Sequence, residues 1–267
     1  MHSMTPEQIL QMAPAALAGG PKPGLSSRYA FLSTAEAIRI HGDLGWLPVS
    51  ARQTCVRKEE NRGFTRHQIT FRRPDDRPVR ELGDVVPEIR LVNNHAGQGS
   101  YRIHAGLMRL VCLNGMVVPA STVDTLRVRH TLQEVRELAG MLATITARLP
   151  RLFEVAYQWQ QVRLDPGRET ALAAAGLRLR YGKREERWPV TPEVLSLIVR
   201  RPSDDGNDLW NVFNRIQENL VRGGAHVPGK VDARGRRRRI LPVRGIREEI
   251  RINQGLWAAA ETMGLVA

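Results

Sequence analysis

The chain has 267 residues, 42% of them hydrophobic, with 40 basic against 27 acidic side chains and a formal net charge of +13. A chain of this length buries a sizeable core, while no apolar run approaches the ~20 residues that span a bilayer and the N-terminus carries no charged-then-apolar signal pattern. A transmembrane helix is therefore excluded, and a soluble, cytoplasmic protein with a polyanionic partner is expected.

Residues 4–12 read as a short helix, followed by a flexible arm, PAALAGGPKPG. Residues 33–45 have a hydroxyl at Ser33 and Glu36 three positions on, which predicts a capped helix that ends at glycine. Residues 46–58 and 66–73 read as paired strands joined by the charged turn KEENRG, and residues 86–94 as a further strand before the Gly-rich turn AGQGS. From Tyr101 the residues Tyr101, Ile103, Ala105, Leu107, Arg109 and Val111 alternate with Arg102, His104 and Met108, which predicts a half-buried strand with a basic outer face. Asn114-Gly115 supplies the positive φ of a two-residue hairpin turn, with residues 110–113 and 116–118 as its arms. A further short strand then leads into one long helix over residues 131–148. Its apolar face is Leu132, Val135, Leu138, Ala139, Leu142 and Ile145, with Thr131 and Glu134 as a capping box.

The second half reads as helical. Helices are predicted over residues 152–164, 169–180 and 191–199, the last with Pro192 in its first turn, followed by a polar loop, RRPSDDGND. Residues 208–221 place Leu209, Val212, Phe213, Ile216 and Leu220 on one face and close at Gly223-Gly224. The amides on its other faces either bind a ligand or bond the returning C-terminal segment. Residues 222–244 carry no apolar period before Ile240 and read as a mobile Arg-rich loop, after which a last helix brings Ile250, Leu256 and Trp257 to the core. The fold class is α+β: an antiparallel meander and hairpin sheet backed by a long helix, with a helical C-terminal half. The chain divides into an arm (1–24), a core (25–221), the Arg-rich loop (222–244) and a C-terminal helix (245–267). The core reads as one domain because no Pro/Gly/Ser linker interrupts it.

Six segments in this order and spacing carry a resemblance: TRHQITFR (65–72), VPEIRLVNNHAG (86–97), RLVCLNGMVV (109–118), RHT (129–131), LWNVFNRIQENLVRGG (209–224) and INQGLW (252–257). Together they resemble the phage- and plasmid-borne proteins of domain of unknown function family 932. The resemblance implies residence on mobile elements, often near genes for single-strand DNA maintenance, and brings no catalytic residues. A basic, curved sheet backed by a long helix is also similar, at the level of fold, to the core of Rad52-like single-strand annealing proteins.

Between residues 222 and 251 stand ten basic and three acidic residues. Arg222, Lys230, Arg234, Arg236, Arg237, Arg238, Arg239 and Arg244 are the first candidates for phosphate contacts, since arginine forks bind phosphate bidentately. Arg102, Arg109, Arg127 and Arg129 form a second set on strand surfaces, beside His104. Phe64, Phe71 and Tyr101 lie among basic residues where bases could stack, but read as core. His67, His95, His104 and His130, with Asp84, Asp124 and Cys112, lack any metal-ligand spacing, and no phosphate-binding Gly-rich loop or other cofactor motif occurs. Asn93-Asn94-His95 reads as a turn held by Asx bonding. Cys55 and Cys112 read as small buried hydrophobes. These features lead to a non-enzymatic single-stranded DNA-binding and annealing protein of a mobile element. It is expected to self-associate as a homo-oligomer, because sequential strands leave sheet edges. A metal-dependent nuclease or other nucleic-acid modifier, and a charge-based inhibitor of a host defence protein, are the alternatives.

Overall fold

The computed structural model describes residues 3–27, 29–110, 114–118, 126–128, 138–231, 234–235 and 237–265. Its helices are α1 (Pro6–Met12), α2 (Thr34–Asp43), α3 (Leu138–Arg148), α4 (Pro150–Gln161), α5 (Pro166–Tyr181), α6 (Pro192–Ser196), α7 (Leu209–Val221) and α8 (Ile246–Leu265). Its strands are β1 (Leu47–Gln53), β2 (His67–Arg72), β3 (Val85–Asn93), β4 (Tyr101–Arg109), β5 (Asn114–Val117), β6 (Leu126–Val128), β7 (His226–Val231) and β8 (Arg237–Arg239). The fold is α+β, as the hydrophobic periods require. The chain forms two compact units: Met1–Val79, Val85–Met108 and Ala120–Arg151 in the first, and Arg80–Asp84, Arg109–Pro119 and Leu152–Ala267 in the second.

In the first unit the strands follow the order β1-β2-β3-β4, with β6 beside β4. β2 is antiparallel to both β1 and β3, in registers that set Ala51 opposite Ile69, and Ile69 opposite Leu91. Side chains alternate across a strand, so Ile69, Phe71, Ile89, Leu91, Ile103, Ala105 and Leu107, all fully buried, form the apolar face. The Ser33 hydroxyl accepts from the Glu36 amide and so caps α2 as expected. Trp46 donates from Nε1 to the Thr146 hydroxyl of α3 at 3.1 Å, and Leu142 and Ile145 of α3 are buried. Residues 131–137, with the Thr131 and Glu134 box, lie outside the described residues.

The N-terminal stretch is packed, contrary to the flexible arm expected from its Gly and Pro content. Ile9, Ala13, Ala15 and Ala16 are buried, because alanines let a 3-10 turn approach the sheet closely. The Met4 amide donates to the Pro48 carbonyl of β1 at 2.7 Å, and the Ala15 amide to Gln53 Oε1 at 3.0 Å. Cys55 also departs from expectation: β1 ends at Gln53, and the thiol two residues beyond is exposed. Cys112 lies outside the described residues.

The second unit is built around α7, whose twelve residues from Leu209 and Trp210 and from Val212 to Val221 are buried. Trp159, Phe213 and Trp257 pack with ring centroids 4.6–5.5 Å apart, the last two edge to face. The polar residues of α7 are spent on the fold. Gln217 donates to Asn253 of α8 at 2.6 Å, so the returning C-terminal helix does supply a partner, and Asn219 donates to the Ile198 carbonyl. Asn114 and Gly115 are not the hairpin turn. They open β5, and the buried Gly115 carbonyl accepts from Gln217.

Candidate functional site

The Arg-rich stretch is a structured ribbon and not an irregular loop. β7 and β8 pair antiparallel, with His226 opposite Arg239 and Val231 opposite Arg237. The pairing continues at the root, where the Gly224 amide donates to the Ile240 carbonyl at 2.7 Å and the Ile240 amide to the Ala225 carbonyl at 2.8 Å. Ala225, Val227 and Ile240 are buried, and these three side chains are too few to give the apolar period that marks a strand in sequence. Gly223 and Gly224 take φ of +69° and +94°, the left-handed region, and a Cβ on Gly223 would lie 2.8 Å from the Leu241 carbonyl oxygen. Arg222, Arg234, Arg238, Arg239 and Arg244 are exposed. Lys230 lies in β7 and Arg237 in β8, and Arg236 lies outside the described residues.

The second basic set is brought together less completely. Arg102 is exposed and donates to the Ser100 hydroxyl at 3.3 Å, and its backbone stands opposite Arg127 of β6. Arg129 and His130 lie outside the described residues. His104 is buried, and burial first, then the nearby Arg102 and Arg90 guanidiniums, push its pKa down to about 3. Glu88, fully buried, accepts from Arg90 at 2.7 Å and from Arg72 at 3.3 Å. Among the described residues of this face, Glu88, Arg90 and His104 are thus buried and Glu88 offsets part of the charge of Arg72 and Arg90, while Arg102 stays exposed. Arg109 does not lie on the basic strand surface expected for it. It falls on the same side of β4 as Ile103 and Leu107, is 2% exposed, and pairs with Asp204 at 2.6 Å. Its charge serves the interior of the second unit, because one buried carboxylate already neutralises it.

Phe71 and Tyr101 are fully buried, and Phe64 is half-buried. His67 and His95 meet at the start of α2, with ring centroids 4.9 Å apart. The Thr34 hydroxyl lies 2.8 Å from His67 Nε2 and 3.4 Å from His95 Nε2, and accepts from Asn93 Nδ2 at 3.0 Å. His67 Nδ1 faces the Thr65 carbonyl at 2.9 Å, which requires a proton on Nδ1 and leaves Nε2 to accept from Thr34. Burial holds the His67 pKa down at about 4. An imidazole that accepts from a hydroxyl is the geometry that activates a nucleophile. Here, however, Thr34, His67 and His95 are all fully buried. Asn94 Oδ1 accepts from the Ala96 amide at 2.8 Å, which is the Asx turn expected there. No group of three His, Cys, Asp or Glu side chains that could hold a metal occurs among the described residues.

Residues 24–257 match the family described as "Domain of unknown function (DUF932)". The chain belongs to the DUF932 family. Two Escherichia coli (strain K12) members of the UPF0380 group, the proteins YfjQ and YafZ, are each 34% identical over 260 residues, covering 97% of this chain and 91% of theirs. No solved structure matches. In this DUF932 chain the residues that sequence reasoning missed are Arg200, Arg201, Asp204, Arg215 and Glu218. They form a charged network: Arg201 forks onto Glu218 at 2.8 Å and donates to Asp204 at 2.9 Å, and Arg215 donates to Glu169 at 3.1 Å. The adjacent opposite charges of RRPSDD, in the segment that reads as a polar loop, are the available signal.

Proposed function

We propose that this DUF932 chain is a nucleic-acid-binding protein of a mobile element, most concretely a cytoplasmic protein that binds and anneals single-stranded DNA. The observation that carries the reading is the exposure of Arg222, Arg234, Arg238, Arg239 and Arg244 on and around one two-stranded ribbon, in a chain of net charge +13. Guanidiniums at such density neutralise phosphates and release condensed counterions, a contact that reads no bases and leaves them free to pair. The buried aromatics of the sheet favour backbone contact over base stacking. Self-association belongs to the same reading, since annealing needs two strands held near each other, and light scattering with and without DNA would test it.

The decisive experiment is a fluorescence-polarisation titration of short labelled single strands at two salt concentrations. Five single-strand phosphate contacts give an expected fall in affinity of about a hundredfold between roughly 50 and roughly 200 mM salt. Mixed-sequence and homopolymer strands should compete equally. No binding at low salt sinks the reading, and a strong preference for one duplex site replaces it with a repressor.

A further inference from the structure

Within the second unit the ribbon of β7 and β8 begins and ends at one root, residues 220–224 on the way out and 240–243 on the way back. Two arginines from elsewhere in the chain close on that root. Arg180, at the end of α5, donates from Nη1 to the Leu220 carbonyl and from Nη2 to the Leu241 carbonyl, so a single guanidinium ties the outgoing chain to the returning one. Arg200 donates from Nη2 to the Gly223 carbonyl and from Nε to Asn219 Oδ1 at 2.9 Å, while Glu218 stands 3.7 Å away. Between them the Val243 amide donates to the Val221 carbonyl at 2.8 Å.

The chemistry of the root explains why arginine is used. Leu220 and Val221 are among the last residues of α7, whose carbonyls have no partner within the helix, and the left-handed Gly223 and Gly224 turn the chain before β7 can pair. A planar fork reaches two carbonyls at a fixed separation, whereas an ammonium is a single point on a flexible stem. Gly224 is part of the fit, since a Cβ there would meet Arg200 Nη2 at 3.2 Å. Both guanidiniums are partly withdrawn from solvent: Arg200 is 30% exposed, and Arg180 is half-buried and lies over the Tyr181 ring with 5.1 Å to its centroid.

We infer that Arg180 and Arg200 are positioning residues that clamp the root of the β7–β8 ribbon and hold its exposed arginines as one rigid array. The functional half of this inference rests on the nucleic-acid reading; the mechanical half does not. Neither arginine contacts the DNA: each acts by fixing the direction of the ribbon, so that Arg238 and Arg239 engage one bound strand together with Arg222, Arg234 and Arg244.

The test uses the full chain and the charge-conserving variants Arg180→Lys and Arg200→Lys, singly and together, with Arg178→Lys as control, because Arg178 makes an exposed pair with Glu185. Hydrogen exchange of the Gly224, Ile240 and Val243 amides is read without DNA. The double variant should lose at least about tenfold of their protection, with the aromatic core around Trp159 unchanged. With single strands its salt slope should flatten by about 0.7 for each phosphate the ribbon no longer engages, at an unaltered net charge. A purely structural role would lower the melting temperature and leave the slope of the folded protein alone. Unchanged exchange overturns the clamp whether or not DNA binds. Changed exchange with a wild-type slope, in a protein that binds DNA, overturns the positioning role only. Absence of binding in the wild type removes the nucleic-acid reading and leaves the clamp to be judged by exchange.

Discussion

Arg109 and Asp204, 95 residues apart in the chain, form an ion pair of 2.6 Å in which each side chain is 2% exposed. Burial alone would raise the Asp204 carboxyl, but the Arg109 and Arg201 guanidiniums more than offset it and hold that pKa below its ordinary value. Removing Arg109 leaves the buried Asp204 carboxylate with Arg201 at 2.9 Å. Arg109→Ala should therefore cost about 1.5–3 kcal/mol, the loss of one buried charge-assisted bond, whereas replacing both Arg109 and Asp204 by apolar side chains of similar volume should cost less. Urea unfolding midpoints measure both. A loss under about 1 kcal/mol for the single variant would mean that the pair is solvated.

Stability should fall as the pH drops below neutrality. Burial depresses the folded pKa of His41 and His67 to about 4 and, with help from Arg102 and Arg90, that of His104 to about 3, against an ordinary value of 6.5. Between these values the unfolded chain binds more protons than the folded one, so the stability is fully present above pH 6.5 and is lost as the pH falls towards 4 and then 3. Each histidine contributes on the order of 3 kcal/mol to this loss. The Asp204 carboxylate, its pKa held down by Arg109 and Arg201 against the effect of burial, resists protonation to lower pH than an ordinary aspartate. Melting temperatures measured from pH 7.5 downwards follow the effect, and a flat profile between pH 7 and pH 5 would contradict it.

Two glycines of the ribbon should respond differently to alanine. Both take left-handed backbone, Gly223 at φ +69° and Gly229 at φ +65°, so each substitution carries strain of about 1 kcal/mol or more. At Gly229 nothing lies within 4 Å of the new methyl, but at Gly223 it meets the backbone of Ile240 and Leu241. Gly223→Ala should thus cost at least about 1 kcal/mol more than Gly229→Ala and loosen the root of the ribbon. Equal melting temperatures for the two variants would count against this close approach.

Replacing Arg236, Arg237, Arg238 and Arg239 together by alanine should weaken single-strand binding and flatten the salt slope by about 0.7 for each phosphate left without its arginine. The fold should survive, because Arg238 and Arg239 are exposed and the ribbon is held by backbone bonds and by Ala225, Val227 and Ile240. Circular dichroism and calorimetry check the fold, and polarisation checks the binding. An unaltered slope in a folded variant would move attention to Arg102.

The sequence by itself determined the class of the fold, because side-chain alternation and helical spacing are local. The cap at Ser33, the strands from β1 to β4 and the apolar residues of α7 and α8 all follow from residues close together in the chain. It also located the concentration of positive charge. Only the tertiary structure decided which charges face water. Arg109 sits in a strand whose alternation is legible, yet its fate depends on Asp204, 95 residues away, and nothing near Arg109 announces that partner. The ribbon was hidden for a related reason. Two strands held by left-handed glycines, three small or branched side chains and the carbonyls gripped by Arg180 and Arg200 need no hydrophobic period, since backbone hydrogen bonds leave no mark on side-chain patterning.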